Sequence, residues 1–393
     1  MKNSTREIRK SNQQNQLGKS LLIIIFLFSY FSFISNQIMN IYGEIFFLTI
    51  PLLSTIILLK KYMSKKTRNY LIFLVFFIAS MFLSILINKG GVGSVVNLAY
   101  TLFVFIVISE LQYNYYDIKW IFYITLFLNI YLVLQAPGYY EVIILQGQEG
   151  MNPNVMAYVI LFTAMLSINI IEVVTSKHLF LKRNVIFILS LTSILQLNAR
   201  GSLVTLLIYY ILEFIIPKKS FEKRPNLLFH GFILVIVVGT FFPWIYTWLF
   251  NNSVGMDTSL SGKNFYSGRE IIWSIFFKNM DSVKEWLFGL GSNFELIAGE
   301  ALDLHNNFLG IIGNFGVVSF IAYFIFLLKI IKSICESGNL KKSTISMLIA
   351  FSCVFINGIF EATIYFSPVF ILMFVFLGLA SSFSKKRLTN NQS

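Results

Sequence analysis

The chain has 393 residues and a net charge of +13, yet 56% of its residues are hydrophobic and only 12% are charged. A soluble protein of this length carries roughly twice that share of charge, so a set of soluble domains is excluded. The two cysteines, Cys335 and Cys353, offer neither a disulfide framework nor a metal site.

Apolar runs long enough to cross a hydrocarbon layer recur along the sequence. They are continuous rather than alternating, which predicts helices and not barrel strands. The first follows a basic segment with Lys2, Arg6, Arg9, Lys10 and Lys19. It is too long for a signal-peptide core and has no small-residue cleavage site, so it reads as a retained span. The predicted spans are 21–39, 41–59, 70–87, 92–110, 118–136, 154–174, 185–198, 202–217, 228–250, 307–331, 344–362 and 367–383. The fold expected is an all-α integral membrane protein of about 12 transmembrane helices, with a large outer loop between the ninth and tenth.

Positive charge supplies an independent test. With the N-terminus inside, only Lys89, Arg200, Lys263, Arg269, Lys278 and Lys284 of the 31 Lys and Arg residues fall outside. The basic excess is thereby a matter of topology, with attraction to anionic membrane lipid as a second effect, and it does not imply a nucleic-acid partner. Residues 1–20 form a cytoplasmic tail, 21–250 hold spans one to nine, 251–306 form the extracytoplasmic loop, 307–383 hold the last three spans, and 384–393 form a second cytoplasmic tail. The expected location is a bacterial cytoplasmic membrane, crossed many times, with both termini inside. Within the loop, 267–280 places Ile271, Ile272, Ile275 and Phe276 near helical spacing, as for a helix on the membrane surface or over a cavity.

Candidate chemistry gathers on the outer side. Arg200 stands in Asn198-Ala199-Arg200-Gly201-Ser202 between two short apolar runs. A guanidinium there matches phosphate oxygens in a bidentate manner; the plain alternative is an arginine snorkelling from a helix end. Arg269, in Ser267-Gly268-Arg269-Glu270, lies where Ser267 and Glu270 have capping-box spacing. An anion would meet both a helix N-terminus and the guanidinium, while the plain alternative is a capped surface helix with a solvated Arg–Glu pair. His305, in Asp303-Leu304-His305-Asn306-Asn307, sits where the loop enters the tenth span. A nearby helix N-terminus disfavours imidazolium and keeps the ring available as a base, whereas Asp303 would favour it. His178 and His230 fall in or beside basic loops and read as structural. Asn152-Pro153-Asn154 opens the sixth span, with capping as its plain reading. Gly289-Leu290-Gly291 reads as a turn. Glu361 lies near the outer end of the eleventh span, as a site carboxylate or an arginine's partner. No Walker motif, zinc-ligand spacing or nucleophile elbow occurs, and no cofactor is expected.

In order, Asn-Pro-Asn, Arg-Gly-Ser, Ser-Gly-Arg-x-x-x-Trp, Gly-x-Gly and His-Asn-x-x-Leu followed by Gly313 and Gly316 resemble the O-antigen ligase and Wzy-type polysaccharide polymerase superfamily, over roughly 150–330. The family often has Ser directly before the junction arginine, where this chain has Ala199. The resemblance implies an inverting, metal-independent membrane glycosyltransferase acting on an undecaprenyl-pyrophosphate-linked oligosaccharide at the outer leaflet. The catalytic residues it implies are His305, Arg200 and Arg269, with Asn152, Asn154, Gly268, Asn306 and Glu361 binding substrate. It also implies membrane lipid, a flippase and a chain-length regulator as partners.

A polymerase of O-antigen, capsule or exopolysaccharide is favoured over a ligase that uses another acceptor. A lipid-linked oligosaccharide flippase should line a central cavity with charges on many spans. A dolichol-phosphate-sugar transferase should carry an acidic pair in its first outer loop, where this chain has only Glu44. A purely structural scaffold accounts for the hydropathy but not for an outward Arg200 near a His-Asn loop.

Overall fold

The computed structural model describes residues 65–88, 115–147, 152–175, 179–252, 268–291, 304–337, 340–363 and 367–385, with isolated positions between 95 and 113 and two short pieces at 259–260 and 263–264. The spans expected at 21–39 and 41–59, most of 92–110, both tails, Ser267 and Asp303 lie outside the described residues.

The described residues are almost all helical. In order, the elements are α1 (Lys65–Asn88), α2 (Tyr115–Gln135), α3 (Pro153–Val174), α4 (Leu179–Gln196), α5 (Arg200–Tyr210), α6 (Lys218–Lys223), α7 (Asn226–Asn252), α8 (Arg269–Asn279), α9 (Val283–Phe288), α10 (Asn307–Cys335), α11 (Lys342–Asn357) and α12 (Ser367–Lys385). Single π-helical turns follow α2, at Glu141–Leu145, and α5, at Ile211–Ile215. A two-residue ladder pairs Ser259–Leu260 with Lys263–Asn264. Among the described residues, α2, α3, α4, α7 and α10 are long and apolar enough to cross a membrane. The helix at 72–88, α11 and the stretch 373–384 are apolar but shorter. This is an all-helical protein with the build of a membrane protein, and each span expected beyond residue 115 overlaps a helix.

α3, α10 and α11 form the centre. α3 is buried almost from end to end, and α11 packs against α3, α5, α7 and α12. α2, α4 and α7 instead keep wide apolar faces open, among them Phe127, Leu134, Ile188, Leu234 and Trp244. Such faces are costly in water and cost nothing against lipid.

Three departures from the expected spans have physical reasons. α4 begins at Leu179 rather than near 185, taking Lys182 and Arg183 into the helix. The charge is tolerated because Arg183 pairs with buried Glu213 and its guanidinium lies 4.5 Å from the centre of the Phe214 ring. α11 stops at Asn357 instead of running to 362, because its next carbonyls are taken from outside: Gly358 O accepts from Asn307 N at 2.7 Å, and Ile359 O from Asn306 Nδ2 at 2.9 Å. α10 is broken at Gly316, whose φ of 78° and ψ of 173° are not helical.

At that break the free backbone groups find partners, as burial in an apolar layer requires. Leu290 N donates to Gly313 O at 2.6 Å, and Ser84 Oγ donates to Asn314 O at 3.1 Å and to Phe288 O. Asn88 Nδ2 binds Phe288 O and Gly289 O at 3.1 and 3.0 Å. The expected Gly289-Leu290-Gly291 turn is thus present, with both glycines at positive φ, and it is wedged into the break in α10. α9 itself opens with a capping box, Ser282 to Glu285. Its Glu285 carboxylate is held below the usual range, first by the Ser282 backbone N–H, while a hydrogen bond to Glu285 raises Asp281.

A smaller core holds α8 to the bundle. Trp273 and Phe276 of α8 and Met280, which caps it, pack with Leu304, Leu309 and Ile312. The buried stripe centres on Trp273; Ile271, one of the four apolar residues expected at helical spacing, is 54% exposed.

Candidate functional site

The seven residues from the end of α11, Asn357 to Thr363, organise one end of the bundle. α5 meets this turn first. Ser202 Oγ donates to Asn357 Oδ1 at 3.3 Å, and a Cβ on Gly201 would stand 2.7 Å from Phe360 Cβ. Glycine is therefore required beside Arg200 by the close approach of Phe360. α4 and α5 are joined by a tight turn through Asn198, at φ 54°, a conformation asparagine tolerates better than most residues. Arg200 is the first residue of α5, and its N-cap, Ala199, offers no side-chain acceptor to the N–H groups of that first turn.

α10 meets the same turn from another side. Asn306 is fully buried and caps α10 by accepting from Leu309 N at 2.8 Å. Its amide donates to Ile359 O and, at 3.4 Å, to Gly239 O in α7. That second carbonyl is free for a reason legible in the chain: Pro243, four residues on, has no N–H to give it. Asn307 Nδ2 donates to Thr363 Oγ1 at 2.7 Å.

Glu361, 7% exposed, is the chemical centre of the turn. Its Oε1 accepts from Arg269 Nη2 at 2.6 Å, and its Oε2 lies 3.6 Å from His305 Nδ1. The first is a short charge-assisted hydrogen bond. The second is an ion-pair separation that an imidazolium, once formed, would use. The His305 side chain is 32% open, and its backbone holds φ at +46°. A left-handed conformation is uncommon outside glycine and costs about 1–3 kcal/mol, a strain found where function places a side chain. Trp273 Nε1 fixes the approach, donating to Leu304 O at 2.8 Å, and the Phe242 ring packs on both Trp273 and Phe360.

Of the residues expected from sequence, Arg269 and His305 each meet Glu361, while Arg200 is tied to the same turn through its neighbour Gly201, which packs on Phe360. α8 begins with Gly268 as N-cap, at φ 85°, without a side-chain cap; Glu270 Oε1 instead accepts from Gly268 N at 3.0 Å. Among the described residues nothing lies within 4 Å of where a Cβ on Gly268 would stand. Asn152 caps α3 by accepting from Asn154 N at 2.9 Å, the plain reading of that motif, and contacts none of these residues. Sequence reasoning missed Asn357, Gly358, Thr363, Gly239 and Pro243; the Gly-x-x-x-Pro spacing in an apolar helix was the available signal.

Fold and site together define an all-helical membrane protein with a buried carboxylate between an arginine and a histidine. No family model, curated protein or solved structure matches the chain.

Proposed function

We propose that the chain is a membrane glycosyltransferase, a polysaccharide polymerase that joins an undecaprenyl-pyrophosphate-linked glycan to an incoming lipid-linked repeat unit at the outer leaflet. The observation that carries this reading is Glu361 held between Arg269 and His305, with α5, which begins at Arg200, packed through Gly201 on Phe360 of the same turn.

The chemistry asks for little beyond these groups. The acceptor hydroxyl attacks the anomeric carbon from the face opposite the pyrophosphate, its proton passes to Nε2 of His305, and the bond from carbon to phosphate oxygen breaks. Glu361, on the Nδ1 side, orients the ring and stabilises the imidazolium as it forms. The departing pyrophosphate gains negative charge, which Arg200 and Arg269 neutralise. Arg269 gives Glu361 one of its guanidinium's five donors, so the fork is aimed and not exhausted. Gly268 leaves the approach to that fork without a side chain. Asn306 and Asn307 act as scaffold, holding His305 on the α11 turn. Asn152 and Asn154, at the start of α3, serve as contacts to the glycan at the rim.

The test is the lipid-linked glycan profile of a deletion strain complemented with wild type, Arg200→Ala or His305→Ala. Single repeat units accumulating on the outer leaflet, cleared only by wild type, are the expected result. Long lipid-linked polymer that never reaches its final acceptor would mean a ligase. Single units trapped on the inner leaflet would mean a flippase, and full activity of His305→Ala would remove the base.

A further inference from the structure

At the opposite end of the bundle, α2, α3 and α4 enclose a groove of about 670 Å³ that the reaction above does not use. Its floor is apolar, with Leu126, Ile130 and Leu189 along it, and its mouth carries Lys119 and Lys182 beside Thr175. Among the described residues no carboxylate lines it. Lys182 Nζ lies 3.3 Å from Thr175 Oγ1, and Lys119 Nζ lies 5.7 Å from the centre of the Tyr123 ring. The nearby acid of α3, Glu172, is engaged elsewhere, by Lys218 at 3.2 Å.

Dimensions and surroundings say what fits. From Lys119 to Asn129 the α2 wall rises about 15 Å, at 1.5 Å per residue. That is about half of a hydrocarbon layer some 30 Å thick, one leaflet. Tyr116 and Trp120 stand exposed on α2 at the level of the lysines, where amphipathic rings mark the boundary between headgroups and chains. An apolar channel one leaflet deep, with two cations at its mouth that pair with no carboxylate among the described residues, matches an acyl chain carrying a phosphate headgroup.

We infer that this groove is a binding site for an anionic phospholipid, its phosphate between Lys119 and Lys182 and one acyl chain along Leu126, Ile130 and Leu189. The site stands on these contacts alone and holds whichever reaction the other end performs.

Native mass spectrometry of the full chain, purified in detergent with equal amounts of phosphatidylglycerol and phosphatidylcholine, tests it. Wild type is expected to retain one phosphatidylglycerol in preference by about thirtyfold, the scale of two lysines acting on an anionic headgroup. The Lys119→Gln/Lys182→Gln pair should bring the two lipids close to parity, and Leu189→Trp, which fills an open position, should reduce retention of both. Unchanged preference in the lysine pair would overturn the proposal. So would displacement of phosphatidylglycerol by undecaprenyl phosphate at equal amount, which would make the groove a carrier site. A disulfide formed between Leu189→Cys and a cysteine placed in 21–39 would also overturn it, by giving the groove to the chain's own first span. Elution volume and thermal unfolding of each variant separate loss of binding from loss of fold.

Discussion

Arg269 and Glu361 lie 92 residues apart in sequence, yet Arg269 Nη2 donates to Glu361 Oε1 at 2.6 Å. The pair ties α8 to the turn after α11, and it leaves the second carboxylate oxygen facing His305 at 3.6 Å. One acid thereby sets the position of a cation and a candidate base together.

Glu361→Gln keeps the shape and removes the charge. If the carboxylate supports His305 as base, glycan transfer should fall by about 10²–10⁴-fold, the usual worth of positioned acid–base chemistry. Stability should change much less, because an amide oxygen still accepts from Arg269. Arg269→Ala leaves a largely buried carboxylate without its cation, so it should lower the unfolding temperature, and adding Glu361→Gln should restore part of that loss. Transfer assays and thermal unfolding of the three variants in detergent check both statements. Equal activity of wild type and Glu361→Gln would remove the carboxylate from the mechanism.

The turn itself depends on two glycines. A Cβ on Gly358 would collide with the Asn307 amide, and one on Gly201 would stand 2.7 Å from Phe360 Cβ. Overpacking of this kind costs about 1–3 kcal/mol, so Gly358→Ala and Gly201→Ala should each lower the unfolding temperature. Gly231→Ala is the control: it lies within α7 and meets nothing within 4 Å, so alanine there should be neutral or mildly stabilising.

The long apolar helices α2, α3, α4, α7 and α10 are legible in the hydropathy of the sequence, because a helix that crosses lipid must be apolar along most of its length. Arg200, Arg269 and His305 stand out in the same way, since charged and titratable residues are rare in so apolar a chain. The turn after α11 is hidden: Asn357, Gly358 and Thr363 look like ordinary polar residues ending a span, and only tertiary contacts from Asn306 and Asn307 cut that helix short. The early start of α4 is hidden for the same reason, as Arg183 belongs in a helix only because Glu213, 30 residues on, is there to meet it.

Glu213 predicts a second sensitive point, at the end of the bundle that carries the lysines. It is 3% exposed, sits in the π-helical turn after α5, and pairs with Arg183 and with Lys218, the latter at 2.7 Å. Ser346 Oγ of α11 donates to the same oxygen at 3.0 Å. Removing one member of a buried ion cluster strands the others, at about 3–5 kcal/mol. Glu213→Ala should therefore destabilise the fold far more than Lys332→Ala, whose partner Glu336 is an exposed neighbour one turn away. Thermal unfolding of both variants decides this, and equal shifts would deny the cluster its structural role.

The break in α10 yields the sharpest contrast, because two glycines that look alike differ in what faces them. At Gly239 a Cβ would strike the ring of Phe308, whereas at Gly316 it would strike the backbone carbonyl of Leu287. Gly316 also holds φ at 78°, so alanine there adds backbone strain to the collision. A ring can be truncated, but a carbonyl cannot. Gly239→Ala should be destabilising alone and substantially rescued by Phe308→Ala, after allowance for the lost ring measured in the single variant. Gly316→Ala should gain nothing from Leu287→Ala, since the opposing atom remains. Folded yield and unfolding temperature of the two double-variant cycles read this directly. Rescue of Gly316→Ala by the Leu287 truncation would mean that α10 closes into a continuous helix when given the chance, and that the wedge of α9 is not what keeps it open.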